Sequence, residues 1–247
     1  MLSVNSLTAS FGDLKILNDI SFSVETGGTV GIIGPNGSGK TTLFNTISGF
    51  VKNSSGEILL NNLPIQHFTP DKRAKNGLCR VFQNPGIFKQ LTLEQNIILV
   101  LTANWSLFKT LIPLVGSVKN KLIEQAHEYL KLVGLEEKSK DLAGSLSGGQ
   151  MRLLEMARAL ASNADVYLLD EPTAGVSPKL KDQVSKAISK IISLKKAVLV
   201  IEHDMNFIRS FVDRIIVLEQ GRIFMDNTPE NVMKSEKLRE IYFGSSV

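Results

Sequence analysis

The chain has 247 residues, 43% apolar and 21% charged, an ordinary balance for a folded protein with a sizeable core. Its formal charge of +4 comes without a dense Lys/Arg stripe, which argues against a nucleic-acid partner and leaves a weak preference for an acidic surface such as a membrane face. The single cysteine, Cys79, excludes an intrachain disulfide, fits a reducing compartment and reads as a small buried hydrophobe. The first residues, Met-Leu-Ser-Val-Asn-Ser, carry no signal-peptide pattern, and the longest uncharged stretch, 95–108, is too short and too polar to span a bilayer.

In chain order, residues 2–9 and 20–25 are expected as short strands around the turn Ser10-Phe11-Gly12-Asp13. Gly27-Gly28 leads into Thr29–Ile33, an apolar, β-branched run that reads as a buried strand. Leu43, Phe44 and Ile47 then recur at helical spacing, and Gly49 is placed to end that helix. Glu57–Leu60 is a further strand, closed by the turn Asn61-Asn62. The segment 78–83, LCRVFQ, reads as a strand ending at Gln83.

The pattern then turns helical. Residues 92–108 are apolar, 109–119 with Pro113 and Gly116 break the helix, and Leu122, Ile123, Ala126, Tyr129, Leu130 and Val133 line one side of the next. Strand character returns at Asp165–Asp170, a continuous apolar run expected of a central parallel strand. Ser177-Pro178 opens a helix with Leu180, Val184, Ala187, Ile188 and Ile191 inward. Ala197–Ile201 and Arg214–Leu218 are strands, and Glu219-Gln220-Gly221 turns into Arg222–Met225. The expectation is one domain over 1–247: an α/β core from 1–85 and 163–247 and a helical layer over 86–162.

Three stretches carry chemistry. Gly34-Pro35-Asn36-Gly37-Ser38-Gly39-Lys40-Thr41-Thr42 fits the phosphate loop G-x-x-x-x-G-K-[ST], and it lies between a strand and a helix as that motif requires. Backbone N–H groups would cradle phosphate oxygens, Lys40 would reach the β- and γ-phosphates, and the Thr41 hydroxyl would ligate Mg²⁺. The plainer alternative is a chance match in a βα turn. Asp170 and Glu171 close a strand, where carboxylates face the ligand crevice of such sheets. Asp170 would hold Mg²⁺ through a water and Glu171 would orient or deprotonate the attacking water, or both cap a strand in solvent. Leu146-Ser147-Gly148-Gly149-Gln150 precedes a helix with Leu153, Ala157 and Leu160 inward and Arg152 and Arg158 outward. It reads as a second anion site or as a plain N-capped helix start.

With these motifs in hand, the sequence resembles the nucleotide-binding subunits of ABC transporters over nearly its whole length. The resemblance rests on GPNGSGKTT at 34–42, Gln83, LSGGQ at 146–150, VYLLDE at 166–171 and His203 in IEHD, in the family's order. It implies a P-loop NTPase with a RecA-like core, an N-terminal antiparallel β subdomain and a helical subdomain, using ATP and Mg²⁺. It further implies that Phe11 stacks on adenine, that Gln83 contacts Mg²⁺ or the attacking water, and that His203 holds that water at the γ-phosphate. Ser147, Gly148, Gly149 and Gln150 would face the γ-phosphate held by a second copy. The plainer alternatives are a core aromatic, a strand end and a satisfied histidine. His67 and His127 match no motif.

Where many members carry Ser-Ala-Leu-Asp after the catalytic Glu, this chain has Thr173-Ala-Gly-Val-Ser177-Pro178, so the Asp that crosses the family's dimer interface has no carboxylate counterpart. AGVSP, RVFQNPGIFKQLT at 80–92, the insertion around 103–120 and EHDM at 202–205 are similar to the ATPases of branched-chain amino-acid importers and their urea and short-amide relatives. That resemblance implies an ATP-hydrolysing subunit at the cytoplasmic face of the cell membrane. Its partners would be a second ATP-binding subunit, identical or related, integral membrane permeases and, indirectly, an external solute-binding protein. Soluble cassettes, above all those of iron–sulfur assembly, and a scaffold without turnover are the competing classes.

Overall fold

The structure is a computed structural model that describes residues 1–103, 117–235 and Leu238. Packing divides the chain into two units. The first comprises Met1–Arg80, Asp165–Glu171 and the chain from Ile192 on; the second comprises Val81–Ala164 and Pro172–Ile191.

In the first unit, β1 (Leu2–Phe11) and β2 (Leu14–Val24) form an antiparallel pair extended by β4 (Ser55–Leu60) and β5 (Leu63–Pro64), in the order β2-β1-β4-β5. Both long strands exceed the expected 2–9 and 20–25. Leu2, Val4, Leu7 and Ala9 are buried, and the register shift between Val4 and Leu7 keeps the apolar side chains inward where strict alternation fails. Asn61 and Asn62 take φ of 50° and 64°, which makes the tight turn from β4 to β5.

A six-stranded sheet runs β10-β9-β3-β8-β7-β6. Its members are β3 (Thr29–Ile33), β6 (Leu78–Val81), β7 (Val166–Asp170), β8 (Ala197–Ile201), β9 (Arg214–Glu219) and β10 (Arg222–Asn227). β3 pairs in parallel with β8 and β9, and β7 with β8, while β10 returns antiparallel to β9. Every residue of β3, β7 and β8 is buried, as their unbroken apolar sequences require of strands covered on both faces. Leu43, Phe44 and Ile47 of α1 (Lys40–Ser48) share one core with Leu2, Val4 and Ile58 of one sheet and Ile32, Leu168 and Leu199 of the other. α1 ends at Gly49, with φ of 87°. The short helix α2 (Pro70–Lys75) follows the antiparallel sheet.

The second unit is helical. α3 (Leu93–Thr102), α4 (Ser117–Leu132) and α5 (Gly148–Ser162) pack on one another. α4 buries Leu122, Ala126 and Leu130, three of the residues its period indicated. Asn96 of α3 is fully buried: its amide donates to the carbonyls of Phe88 and Thr92 and accepts from the Phe88 N–H, which fixes the chain before the helix. α6 (Pro178–Ser193) buries Val184, Ala187, Ile188 and Ile191. The chain closes with α7 (Met205–Ile208) and α8 (Pro229–Lys234) in the first unit. The helix break expected at Pro113 and Gly116, and most of the insertion at 103–120, lie outside the described residues. Two further expectations change. The strand LCRVFQ stops at Val81, because the Phe82 N–H is given to a side chain, Glu155, instead of a ladder. Cys79 is half-buried, not fully inside.

Candidate functional site

The phosphate loop leaves the end of β3 and enters α1. Gly39 caps α1 with φ of 104°, and no side chain occupies its first N–H groups, so these donors face whatever the loop encloses. Gly34 is required by close approach, since a Cβ there would lie 2.1 Å from the Leu218 carbonyl oxygen. The Lys40 ammonium donates to the carbonyls of Gly34 (2.8 Å) and Pro35 (2.9 Å), which folds the lysine back along the loop. Burial lowers the pKa of Lys40, and the charges of Glu171 and Asp170 oppose that shift. Asn36 and Gly37 form the exposed tip; Thr41 is exposed and Thr42 half-buried at the start of α1.

The Ser38 hydroxyl oxygen is buried yet has no hydrogen-bond partner among the described residues. Such an oxygen costs stability unless a ligand supplies its partner. A phosphate oxygen answers that need. The exposed Thr41 hydroxyl and the strand-end carboxylate of Asp170 are the hard oxygen donors that Mg²⁺ takes. The residues present therefore fit a nucleotide phosphate with its cation.

Asp170 ends β7 and is almost wholly buried. Its Oδ2 accepts from Arg80 Nη2 at 2.8 Å, with side-chain exposures of 4% and 6%. The next residue, Glu171, has φ of 47°, and its N–H donates to the Ile201 carbonyl of β8. This turn aims Glu171 Oε1 at His203 Nε2, 3.0 Å away. The His203 N–H in turn donates to the buried carboxylate of Glu202. Phe11 ends β1 and the residue is 56% exposed, so it is not the core aromatic of the plainer alternative.

The second unit holds the other two motifs. Gln83 is exposed, and its carbonyl accepts from Arg152. Ser147 caps α5 in a capping box: its hydroxyl accepts from the Gln150 N–H (3.3 Å) and the Gln150 side-chain oxygen accepts from the Ser147 N–H (3.1 Å). Gly148 is exposed, whereas Gly149 is buried with no room for a Cβ, which would lie 2.7 Å from Leu180 Cδ1. The segment Thr173–Val176 is a turn closed by the Val176 N–H to the Thr173 carbonyl.

Sequence periodicity placed Arg152 outward; it is 2% exposed. Its guanidinium donates to Glu155 Oε2 at 2.7 Å and to the carbonyls of Phe82 and Gln83, while Glu155 Oε1 accepts from the N–H groups of Phe82 and Gly86. Arg158 is half-buried over the Phe88 ring. The pair at 152 and 155 thus holds the segment after β6 onto α5. Sequence reasoning also missed Arg80; its only signal is its place near the end of β6, three residues before Gln83.

A family model described as ABC transporter matches residues 17–174, well over half of the chain. The chain belongs to the ABC transporter family. As an ATP-binding subunit of that family it binds nucleotide and hydrolyses ATP. It is 37% identical over 253 residues to the high-affinity branched-chain amino acid transport ATP-binding protein BraF of Pseudomonas aeruginosa, covering 100% of this chain and 98% of the relative. The ADP conformation of an ABC transporter's ATP-binding cassette is 33% identical and superimposes with a TM-score of 0.84, covering 99% of both chains. A dimeric cassette in a post-hydrolysis state, bound to ADP and Pi, is 28% identical with a TM-score of 0.81, covering 93% of this chain and 99% of its own. The α/β fold with an antiparallel sheet and a helical region is therefore that of an ABC ATPase.

Proposed function

We propose that this cassette is the motor of an importer for branched-chain or other hydrophobic amino acids. The observation that carries this is full-length similarity to BraF, named for branched-chain amino acid transport. In this reading it works at the cytoplasmic face of the membrane with integral permease subunits, served indirectly by an external solute-binding protein. Among the described residues no helix is long and apolar enough to cross a membrane.

The site roles in this reading combine the geometry with the family resemblance. Lys40 and the N–H groups of the phosphate loop bind the β- and γ-phosphates, and the Ser38 hydroxyl donates to them. Thr41 and Asp170 would hold Mg²⁺, which would neutralise phosphate charge; Gln83, in the second unit, is assigned to the same cation by the family resemblance alone. Glu171 orients a water or takes its proton, and His203, in hydrogen-bond reach of Glu171, fixes that carboxylate and contacts the γ-phosphate. Phe11 stacks on adenine. Phosphoryl transfer of this kind depends on positioning and electrostatics, which is what a preformed loop and two strand-end carboxylates supply. A second cassette, identical or related, presents its residues 147–150 to the γ-phosphate; the dimeric relative supports that arrangement.

The test is to purify the tagged chain from its host's membranes in mild detergent and assay the retained complex for solute-stimulated ATP hydrolysis. Recovery with multi-span proteins, and stimulation by leucine, isoleucine or valine, supports the proposal. Stimulation by urea or short amides moves the solute class, and recovery with only soluble proteins overturns the transporter role.

A further inference from the structure

Arg80 links two elements of the nucleotide site. Its Nη2 donates to Asp170 Oδ2 (2.8 Å), while Nη1 donates to Asn45 Oδ1 (2.7 Å) and Ser48 Oγ (2.8 Å) on α1, the helix that begins at Lys40 and Thr41. The Ser48 hydroxyl donates onward to the Phe44 carbonyl, and the guanidinium stands 5.8 Å from the Phe44 ring centroid. A fixed, planar fork therefore ties the carboxylate at the end of β7 to the helix that carries the threonine of the phosphate loop. A buried ion pair of this kind is weak evidence of stability, because its desolvation offsets its attraction; a positional role accounts better for keeping it.

We infer that Arg80 is the positioning residue of the cation site: it holds Asp170 by Oδ2 so that Oδ1 is presented to the cation's water. The inference rests on the proposed role of Asp170. Groups that hydrogen-bond a metal-serving carboxylate orient it, and their loss costs about 10–100-fold in metal affinity. Arg80 would do this while adding a positive charge beside Asp170, so the site gains orientation and not attraction. The charge also limits how tightly Asp170 alone can hold a divalent ion, which suits a cation that must leave with product.

The test uses the full chain saturated with ADP and titrated with Mn²⁺, free Mn²⁺ being followed by electron paramagnetic resonance. ADP affinity in EDTA and the half-saturating Mg²⁺ for ATP hydrolysis are measured alongside. Arg80→Met is expected to keep metal-free ADP affinity within about twofold and to weaken Mn²⁺ by about tenfold or more. Arg80→Lys is expected to recover part of that loss, since an ammonium can still donate to Asp170 Oδ2 but lacks the fork that also reaches Asn45 and Ser48. Asn45→Ala with Ser48→Ala, which keeps the charge and removes the anchor, is expected to shift Mn²⁺ affinity the same way by less. Unchanged Mn²⁺ affinity in Arg80→Met, with a loss in Asp170→Asn, overturns the role of Arg80 and leaves that of Asp170. Unchanged affinity in Asp170→Asn removes the reading beneath the inference. Equal loss of ADP affinity with and without metal in Arg80→Met, while the Asn45/Ser48 variant binds Mn²⁺ normally, overturns the inference in favour of a packing role.

Discussion

Glu171 Oε1 and His203 Nε2 lie 3.0 Å apart at the ends of the neighbouring strands β7 and β8. The strands are held in register by parallel pairing from Val166↔Ala197 to Asp170↔Ile201, so the distance between the two side chains is set by the sheet. Glu171→Gln keeps the shape and the hydrogen bond and removes the proposed base. Nucleotide binding is expected to persist while hydrolysis falls by about 100-fold or more, the usual contribution of a general base. Light scattering in ATP and Mg²⁺ is expected to show a trapped dimer. A variant that stays monomeric contradicts the shared-site arrangement.

If Lys40 is the phosphate's partner, as proposed, nucleotide affinity is expected to depend on alkaline pH. Burial places its pKa below the usual lysine value, so the free protein loses the ammonium earlier than an exposed lysine would. Phosphate charge favours the protonated form, so binding raises this pKa, and affinity is full below the free-state value and lost as pH rises through it. Titration of ADP between neutral pH and pH values approaching the normal lysine range is expected to show progressive weakening. A flat profile removes Lys40 as the phosphate's partner.

Arg73 carries stability, not chemistry. It is 2% exposed and donates to the carbonyls of Thr46 and Ile47 at the C-terminal end of α1 and to those of Gln66 and Phe68, with burial pushing its pKa down to about 10. A cation at a helix C-terminus satisfies the last carbonyls and complements the helix dipole. Arg73→Met would leave those carbonyls without the donor and is expected to cost about 2–4 kcal/mol in denaturant unfolding, because several buried hydrogen bonds to a charged group are lost together. Nucleotide affinity in the folded fraction is expected to stay near wild type.

The Arg152–Glu155 pair gives a prediction that separates single from double variants. Glu155→Leu leaves a buried guanidinium uncompensated and is expected to cost about 3–5 kcal/mol. Arg152→Met combined with Glu155→Leu removes the uncompensated charge but also the hydrogen bonds to the backbone of residues 82–86, so it is expected to recover part of that loss and stay below wild type, and a double-mutant cycle measures the coupling. A double variant as stable as wild type shows that the pair is not the clamp on residues 82–86 described above.

The parts of the site that sit on strongly patterned sequence were legible. Thr29–Ile33, Ala197–Ile201 and the glycine-rich loop announce themselves because full burial on both faces demands unbroken apolar runs, and phosphate cradles demand glycine. β1 and β2 were underestimated because Lys15, Asn18 and Asp19 are polar residues on a strand with one solvated face, where a polar run imitates a turn. Arg152, Arg80 and Arg73 were not legible as buried, since helical or strand period assigns charge outward. Their partners, Phe82, Asp170 and Thr46, lie many residues away, and only the fold brings them together. The choice between a core and an exposed Phe11 likewise depended on where β1 ends.

The turn between β9 and β10 lies outside every motif, yet it supports the phosphate loop from behind. The Gly221 N–H donates to the Ser38 carbonyl, the Asn18 N–H donates to the Gly221 carbonyl, and a Cβ on Gly221 would lie 2.1 Å from the Ile16 carbonyl oxygen. Any side chain there must push β2 or the loop aside. A genetic screen for lost transport would thus score Gly221 as a nucleotide-site position, although it stands in a hairpin turn more than 170 residues downstream of the loop it braces.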